Sequence, residues 1–504
     1  MNLASFHNSR VVPLDKTSRL SVADFRRAVV DRVARGWRLA ALFGCPAADR
    51  RMGLHAVMAN HDAPQLAHCS CEVEDAYPAL TPDCMQAHWF EREIAEQWGI
   101  RPEGHPWLKP IRFHASHRTG NDAWNRAASD PILPCVTDFY QVQGNEVHEV
   151  AVGPVHAGVI EPGHFRFQCH GEDVFHLEIS LGYQHRGVER ALKGGPDRKT
   201  LHYMETLAGD TTIGHSLAYA QALESLAKRH APARAAAIRG IALELERLAN
   251  HVGDLGALAG DVGFLPTASF CGRLRGDLLN MTALLCGNRF GRNLVLPGGA
   301  RFDVELLLRS ELLERLEQAM GDVRNAVELL WETPSVMARF EGTGRVGHET
   351  AVSLGLVGPA ARACGISRDA RYEFPSGIFH FAHIPVSVWP SGDVFARAYV
   401  RWLEIERSAL FIRQQLESLP VGPVFNELSA LQPNAMTVSM VEGWRGEICH
   451  VVMTDEQGRF RFYKVVDPSF HNWMGLAMAL RNQQISDFPL CNKSFNLSYC
   501  GHDL

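Results

Sequence analysis

No stretch of this 504-residue chain is apolar for the roughly 20 residues that a membrane-spanning helix needs. The opening residues, MNLASFHNSRVVPLDKTSRL, hold no apolar core of a secretory leader. The expectation is a cytoplasmic protein, free to dock on a membrane-embedded partner. No long run of one charge sign occurs, and the net charge is −6, which argues against a nucleic-acid footprint. None of the 12 cysteines pairs at C-x-x-C spacing. The closest two, Cys69 and Cys71 in AHCSCEVE, fall on one face of a strand and read as structural thiols, not as a metal site. Internal repeats and low-complexity segments are also missing.

What is present is globular: 46% hydrophobic and 21% charged residues, in a chain too long for one ordinary core. The 24 histidines are scattered. VADFRRAVVDRVARG reads as an amphipathic helix, and RLAALFGC, RMGLHAVMA and QLAHCSCEVE read as strands. MQAHWFEREIAEQWGI reads as a helix ending at Gly99. PEGHPWLKPIRFH reads as a turn leading into a strand. The fold class expected is α+β: a small α+β domain over residues 20–115, a polar linker over 116–144, and a mainly helical domain over 145–504 with β decoration at its ends.

The second domain begins with a hairpin, HFRFQCHGEDVFHLEISLGY, turning at Gly171. Ile238, Ile241, Leu245, Leu248, Val252 and Leu255 recur every three or four residues, the stripe of a buried helix that starts near Pro232. Leu312, Leu316, Val323, Val327 and Leu330 form a second stripe. Residues 393–419 form a third helix between Gly392 and Pro420, and EICHVVMTD and RFRFYKVVD return to strand.

FEREIAEQWGIRPEGHPWLKPI (90–111) resembles the signature of the thirty-kilodalton-type subunit of respiratory complex I. In it Glu91 and Glu93 are helix carboxylates and Gly104 and Pro106 present His105. GPVHAGVIEPGHFRF, LGYQHRGVER, ELERLANHVGDLG, LPGGARFDV and VVDPSFHNW resemble strings of the large subunit of nickel–iron hydrogenases and of its forty-nine-kilodalton relative in complex I. Small domain ahead of large resembles the fused subunit of membrane-bound hydrogenases, such as that of formate hydrogenlyase.

The resemblance implies a vacated metal site. Hydrogenases carry R-x-C-G-x-C where this chain has ETLAGDTTIGHSLAYAQALE; the arginine falls at Thr206 and the cysteines at Ala208 and Thr211. Their C-terminal cysteine pair falls at Ser498 and Gly501 in SFNLSYCGHDL, with Cys500 one position off. Nickel and iron need soft thiolates, which Ala, Thr, Ser and Gly do not supply. No metal is therefore expected on this chain. A quinone, the occupant in complex I, is the cofactor that remains open. Its histidine is matched by His156, but its tyrosine position falls at about Gly209; Tyr203, Tyr219 and Tyr499 are substitutes.

Glu161 matches the proton-carrying glutamate of hydrogenases, so Glu161 and His156 are the residues to which the resemblance assigns chemistry. Arg186 and His251 resemble residues beside the terminal iron–sulfur cluster of a partner subunit, where charge and protonation couple to electron arrival. Ala208, Gly209, Asp210, Thr211, His215, Ser498 and Gly501 frame the vacated cavity, expected to be polar and hydrated. Asp467, Ser469, His471 and Asn472 suit a cavity wall or an interface. The implied partners are a small iron–sulfur subunit and membrane-arm subunits, with no nucleic acid. The readings that stay open are a redox and proton-coupling subunit, a quinone reductase subunit, and a silent scaffold; an active hydrogenase conflicts with the missing thiolates.

Overall fold

Three nine-residue strands, Arg38–Pro46, Met52–Asn60 and Gln65–Val73, form an antiparallel meander. Their inward residues are apolar at alternate positions, and Cys69 and Cys71 are both buried there. Ser5–Phe6 and Ser18–Leu20 complete the sheet against Gln65–Val73. The computed structural model describes residues 3–47, 51–127, 129–156 and 160–504.

Helix Val22–Ala34 is capped by the Ser21 side chain, which accepts the N–H of Asp24. Helix His88–Trp98 ends at Gly99, which is left-handed at φ 64°; a Cβ there would lie 2.6 Å from the carbonyl oxygen of Asn121, so only glycine fits. The FERE string lies on this helix, where Glu91 and Arg92 hold backbone and Glu93 holds two side-chain cations. Glu91 accepts the N–H groups of Leu80 and Thr81 at 2.7 and 2.9 Å. Arg92 donates to the carbonyls of Lys109 and Pro110, both at 2.8 Å. Glu93 pairs with Arg112 and, at 2.6 Å, with Lys464.

The strand expected after the Pro/Gly turn does not form. Only Arg101–Glu103 is extended into a ladder, parallel to Ala76–Pro78. The N–H groups of Ile111, Arg112 and Phe113, which a strand would give to a neighbour, go instead to the Glu96 carboxylate at 3.2, 2.8 and 2.6 Å. The described residues of 116–144 hold neither helix nor strand. Arg118 ties them back to Asp75 at 2.7 Å; residue 128 lies outside the described residues.

In the larger part, helices Ala233–Asp261, Leu265–Cys286, Leu306–Trp331 and Val394–Glu417 pack together. All six residues of the stripe from Ile238 to Leu255 are fully buried, as are Leu312, Val323, Val327 and Leu330. Gly256 lets the first two helices close up: a Cβ there would lie 2.7 Å from the Cβ of Cys271.

A four-stranded antiparallel sheet runs in the order Phe460–Val466, Gly446–Thr454, Ala435–Gly443, Val11–Pro13. Every residue of its two inner strands is buried, and helix Thr212–Leu226 lies across it. The sheet is thus a central layer, completed by a strand from the other end of the chain. No helix among the described residues is long and apolar enough to cross a membrane.

Candidate functional site

Three segments distant in sequence meet: residues 160–163, the loop 206–211, and the C-terminal residues 496–504. Glu161 makes the first junction. Its two carboxylate oxygens accept the N–H groups of Tyr499 and Cys500 at 3.2 and 3.3 Å. Arg186, on the exposed face, straps the other two segments together, donating to the carbonyls of Thr206, Leu207 and Cys500 at 2.7, 3.0 and 3.3 Å. The last residues are clamped from both sides. Arg112 donates twice to the His502 carbonyl at 3.0 and 2.7 Å, and the Asp503 carboxylate accepts the N–H groups of Gly182 and Gln184 at 2.8 and 2.9 Å.

Asp210 is gripped by Arg445 in a two-pronged ion pair at 2.5 and 2.8 Å. Burial alone would lift the Asp210 carboxyl, but the guanidinium holds it below the usual carboxylate range. Arg445 also lies over the Trp444 ring, 3.9 Å from its centroid, and donates to the Asn496 carbonyl at 2.5 Å. Asp467 caps helix Pro468–Ala479 by accepting the Ser469 N–H. Its other oxygen accepts from His215 at 3.0 Å. Burial would raise the Asp467 carboxyl; the hydrogen bond from His215 and the charge of Arg445 hold it low.

His156 turns back on its own loop, its Nε2 donating to the Gly163 carbonyl at 2.9 Å; residues 157–159 of that loop lie outside the described residues. His251 is fully buried, so it does not share the exposed face with Arg186. Its Nε2 faces Glu404 at 2.9 Å, its Nδ1 has no partner, and the Trp444 ring covers it. Burial lowers its pKa despite Glu404. It lies one layer beneath Asp210, whose carbonyl accepts from both Trp444 and Asn250.

The four positions where thiolates would stand do not suit nickel and iron. Ala208 and Gly501 offer no donor atom. A Cβ at Gly501 would lie 2.7 Å from the Asp467 carboxyl, so no side chain fits there. Thr211 Oγ1 is engaged with Asp210 and Arg445, both at 3.3 Å. Ser498 Oγ accepts the Gly501 N–H at 2.9 Å. Burial and the nearby Glu161 carboxylate push the Cys500 thiol up to about 12, leaving it protonated and a poor ligand. Beside Gly501 the space is taken by the Asp467 carboxyl and the Ser498 hydroxyl. Gly209 faces outward, with nothing within 4 Å of where its Cβ would be.

Residues 23–121 match the family described as the respiratory-chain NADH dehydrogenase 30-kDa subunit, and residues 261–435 match the 49-kDa subunit. The chain is 30% identical over 439 residues to formate hydrogenlyase subunit 5 of Escherichia coli, a match covering 84% of this chain and 76% of that one. The chain belongs to the family of fused 30-kDa and 49-kDa complex I-type subunits. Hydrogenase-4 component G of the same organism is 29% identical over 433 residues, 84% of this chain and 75% of that one. NADH-quinone oxidoreductase subunit 4 of Thermus thermophilus is 29% identical over 369 residues, 68% of this chain and 90% of that one. These relatives are parts of multisubunit assemblies. Within this family member, sequence reasoning overlooked Arg445, His450 and Tyr463. The signal available was a charged residue in the turn and two polar rings among buried strand residues, in EGWRGEICHVVM and RFYKVV.

Proposed function

We propose that this chain is the redox and proton-coupling subunit of a membrane-bound hydrogenase-like or complex I-like oxidoreductase, without a nickel–iron centre of its own. The observation that carries the reading is the meeting of the three family strings around Glu161, at positions that hold no thiolate. A carboxylate at such a junction, bound to the C-terminal segment that Arg186 straps from the exposed side, is placed to exchange protons between solvent and interior. The partner class this reading requires is a small iron–sulfur subunit on the Arg186 face, with membrane-arm subunits beyond it, at the cytoplasmic side of the membrane. His251, covered by Trp444 and tied to Glu404, is one layer from that face and would feel a charge arriving there through a low-dielectric interior.

The quinone alternative lacks its tyrosine: the matching position is Gly209, and Tyr499 is buried. The test is Glu161→Gln in the intact complex. Coupled turnover should fall by about two orders of magnitude, the usual contribution of a positioned proton donor. Undiminished turnover, with nickel absent, would leave the scaffold reading standing.

A further inference from the structure

A line of four side chains, none more than 1% exposed, leads away from the converged site. Asp467 Oδ2 lies 3.0 Å from His215 Nε2. His215 Nδ1 lies 3.1 Å from His450 Nε2. His450 Nδ1 lies 2.8 Å from the Tyr463 hydroxyl. Each comes from a different element: the cap of helix Pro468–Ala479, helix Thr212–Leu226, strand Gly446–Thr454 and strand Phe460–Val466. His450 and Tyr463 are diagonal neighbours on one face of the sheet, opposite Val465 and Val452 respectively.

Both ends reach something. At the inner end Asp467 lies against Gly501 and within the field of Arg445. At the outer end Tyr463 packs in one cluster with Tyr219. The Tyr219 hydroxyl is held up first by burial and then by the charge of Asp197, which sits on an exposed turn. The line therefore runs from the Ser498–Gly501 segment into the cluster that holds Tyr463 and Tyr219, on a different course from Glu161.

The donor inventory gives this line two proton orders. With Asp467 ionised and both rings neutral, His215 donates from Nε2 to Asp467, His450 donates from Nε2 to His215, and Tyr463 donates to His450 Nδ1. With one more proton, on His215, each bond between Tyr463 and His215 reverses, and the Tyr463 oxygen accepts from His450 Nδ1. A core histidine pair kept for packing alone needs only one such order; burial keeps His450 itself neutral in both.

We propose that Tyr463, His450 and His215 form a proton relay to Asp467, a second route into the converged site beside Glu161. A proton taken up by the Tyr463 oxygen displaces that hydroxyl's own proton onto His450 Nδ1. The Nε2 proton of His450 passes to His215 Nδ1, and the Nε2 proton of His215 passes to Asp467. One proton enters at Tyr463 and one arrives at Asp467; only O–H and N–H bonds form and break. The charged and titratable groups facing the pair are Asp467 and Arg445 at one end, Tyr463, Tyr219 and Cys449 at the other, and Glu246, which accepts the N–H groups of Ile213 and Gly214 from helix Ala233–Asp261. The relay deepens the coupling role proposed above and rests on it for its purpose.

The experiment has two arms. In the full chain labelled with nitrogen-15 histidine, ring-nitrogen spectra are followed across pH and assigned with His215→Gln and His450→Gln. As His215 takes up a proton, His450 should stay neutral and move its proton from Nε2 to Nδ1. In the intact complex, His450→Gln and Tyr463→Phe, each checked for folding by its melting temperature, should slow proton-coupled turnover by about ten-fold or more while electron transfer to an artificial acceptor persists. A His450 proton fixed on one nitrogen throughout overturns the relay, as does wild-type coupled turnover in both folded variants. If the complex shows no proton coupling but His450 still switches, the coupling reading fails and the relay stands.

Discussion

Arg445 and Asp210 face each other as a planar fork on a carboxylate, with both prongs within hydrogen-bond reach. The pair joins the loop where a metal-binding segment would run to the C-terminal segment through Asn496. Arg445 is almost wholly buried, so removing it strands a carboxylate and the Asn496 carbonyl. Arg445→Met should cost about 3 kcal/mol. Chemical denaturation measures the loss, and hydrogen exchange should quicken at residues 206–211 and 496–504. Unchanged protection there would mean that the pair does not hold the site together.

Arg112 makes a comparable link from the smaller domain, with its guanidinium on the His502 carbonyl and on Glu93. Arg112→Met should loosen residues 498–504 and destabilise the chain by about 3 kcal/mol. Lys464 remains as a partner for Glu93, so the larger sheet should stay protected. A uniform loss of protection across both domains would contradict this division.

Glu246 makes stability depend on pH. Burial, with Asp210 close by, pushes its carboxyl up to about 8, although it accepts two backbone N–H groups. The folded value stands above the unfolded value of about 4.3, so its contribution is whole below that pH. It then declines by about 1.4 kcal/mol per pH unit and is gone once the pH has risen through the folded value. Glu246→Gln should flatten this part of the curve of unfolding free energy against pH. The same descent in the variant would assign the effect to other groups.

Much of the fold is legible in local pattern. The stripe from Ile238 to Leu255 declares its helix because burial on one face leaves a 3.6-residue period. Gly99 declares a helix end because few other residues accept its backbone. The strand expected near Ile111 fails for a reason that is not local: its N–H groups are claimed by Glu96. The central sheet is likewise hidden, because Val11–Pro13 pairs with Ala435–Thr437 from the far end of the chain. At the site, Glu161 and the vacated positions stand out through the family strings. Arg445, His450 and Tyr463 do not, since a polar residue in a strand or its turn says nothing of the partner it will meet from another element.

The central claim is that the converged site carries protons on Glu161 and its neighbours and holds no nickel. The most direct test is elemental analysis of the purified intact complex, with nickel counted per copy of this chain, since the iron–sulfur partner proposed above would itself bring iron. The account predicts nickel far below one atom per chain. A value near one would contradict it, and would mean that Thr211, Ser498 and Cys500 rearrange into a ligand set that their present hydrogen bonds oppose.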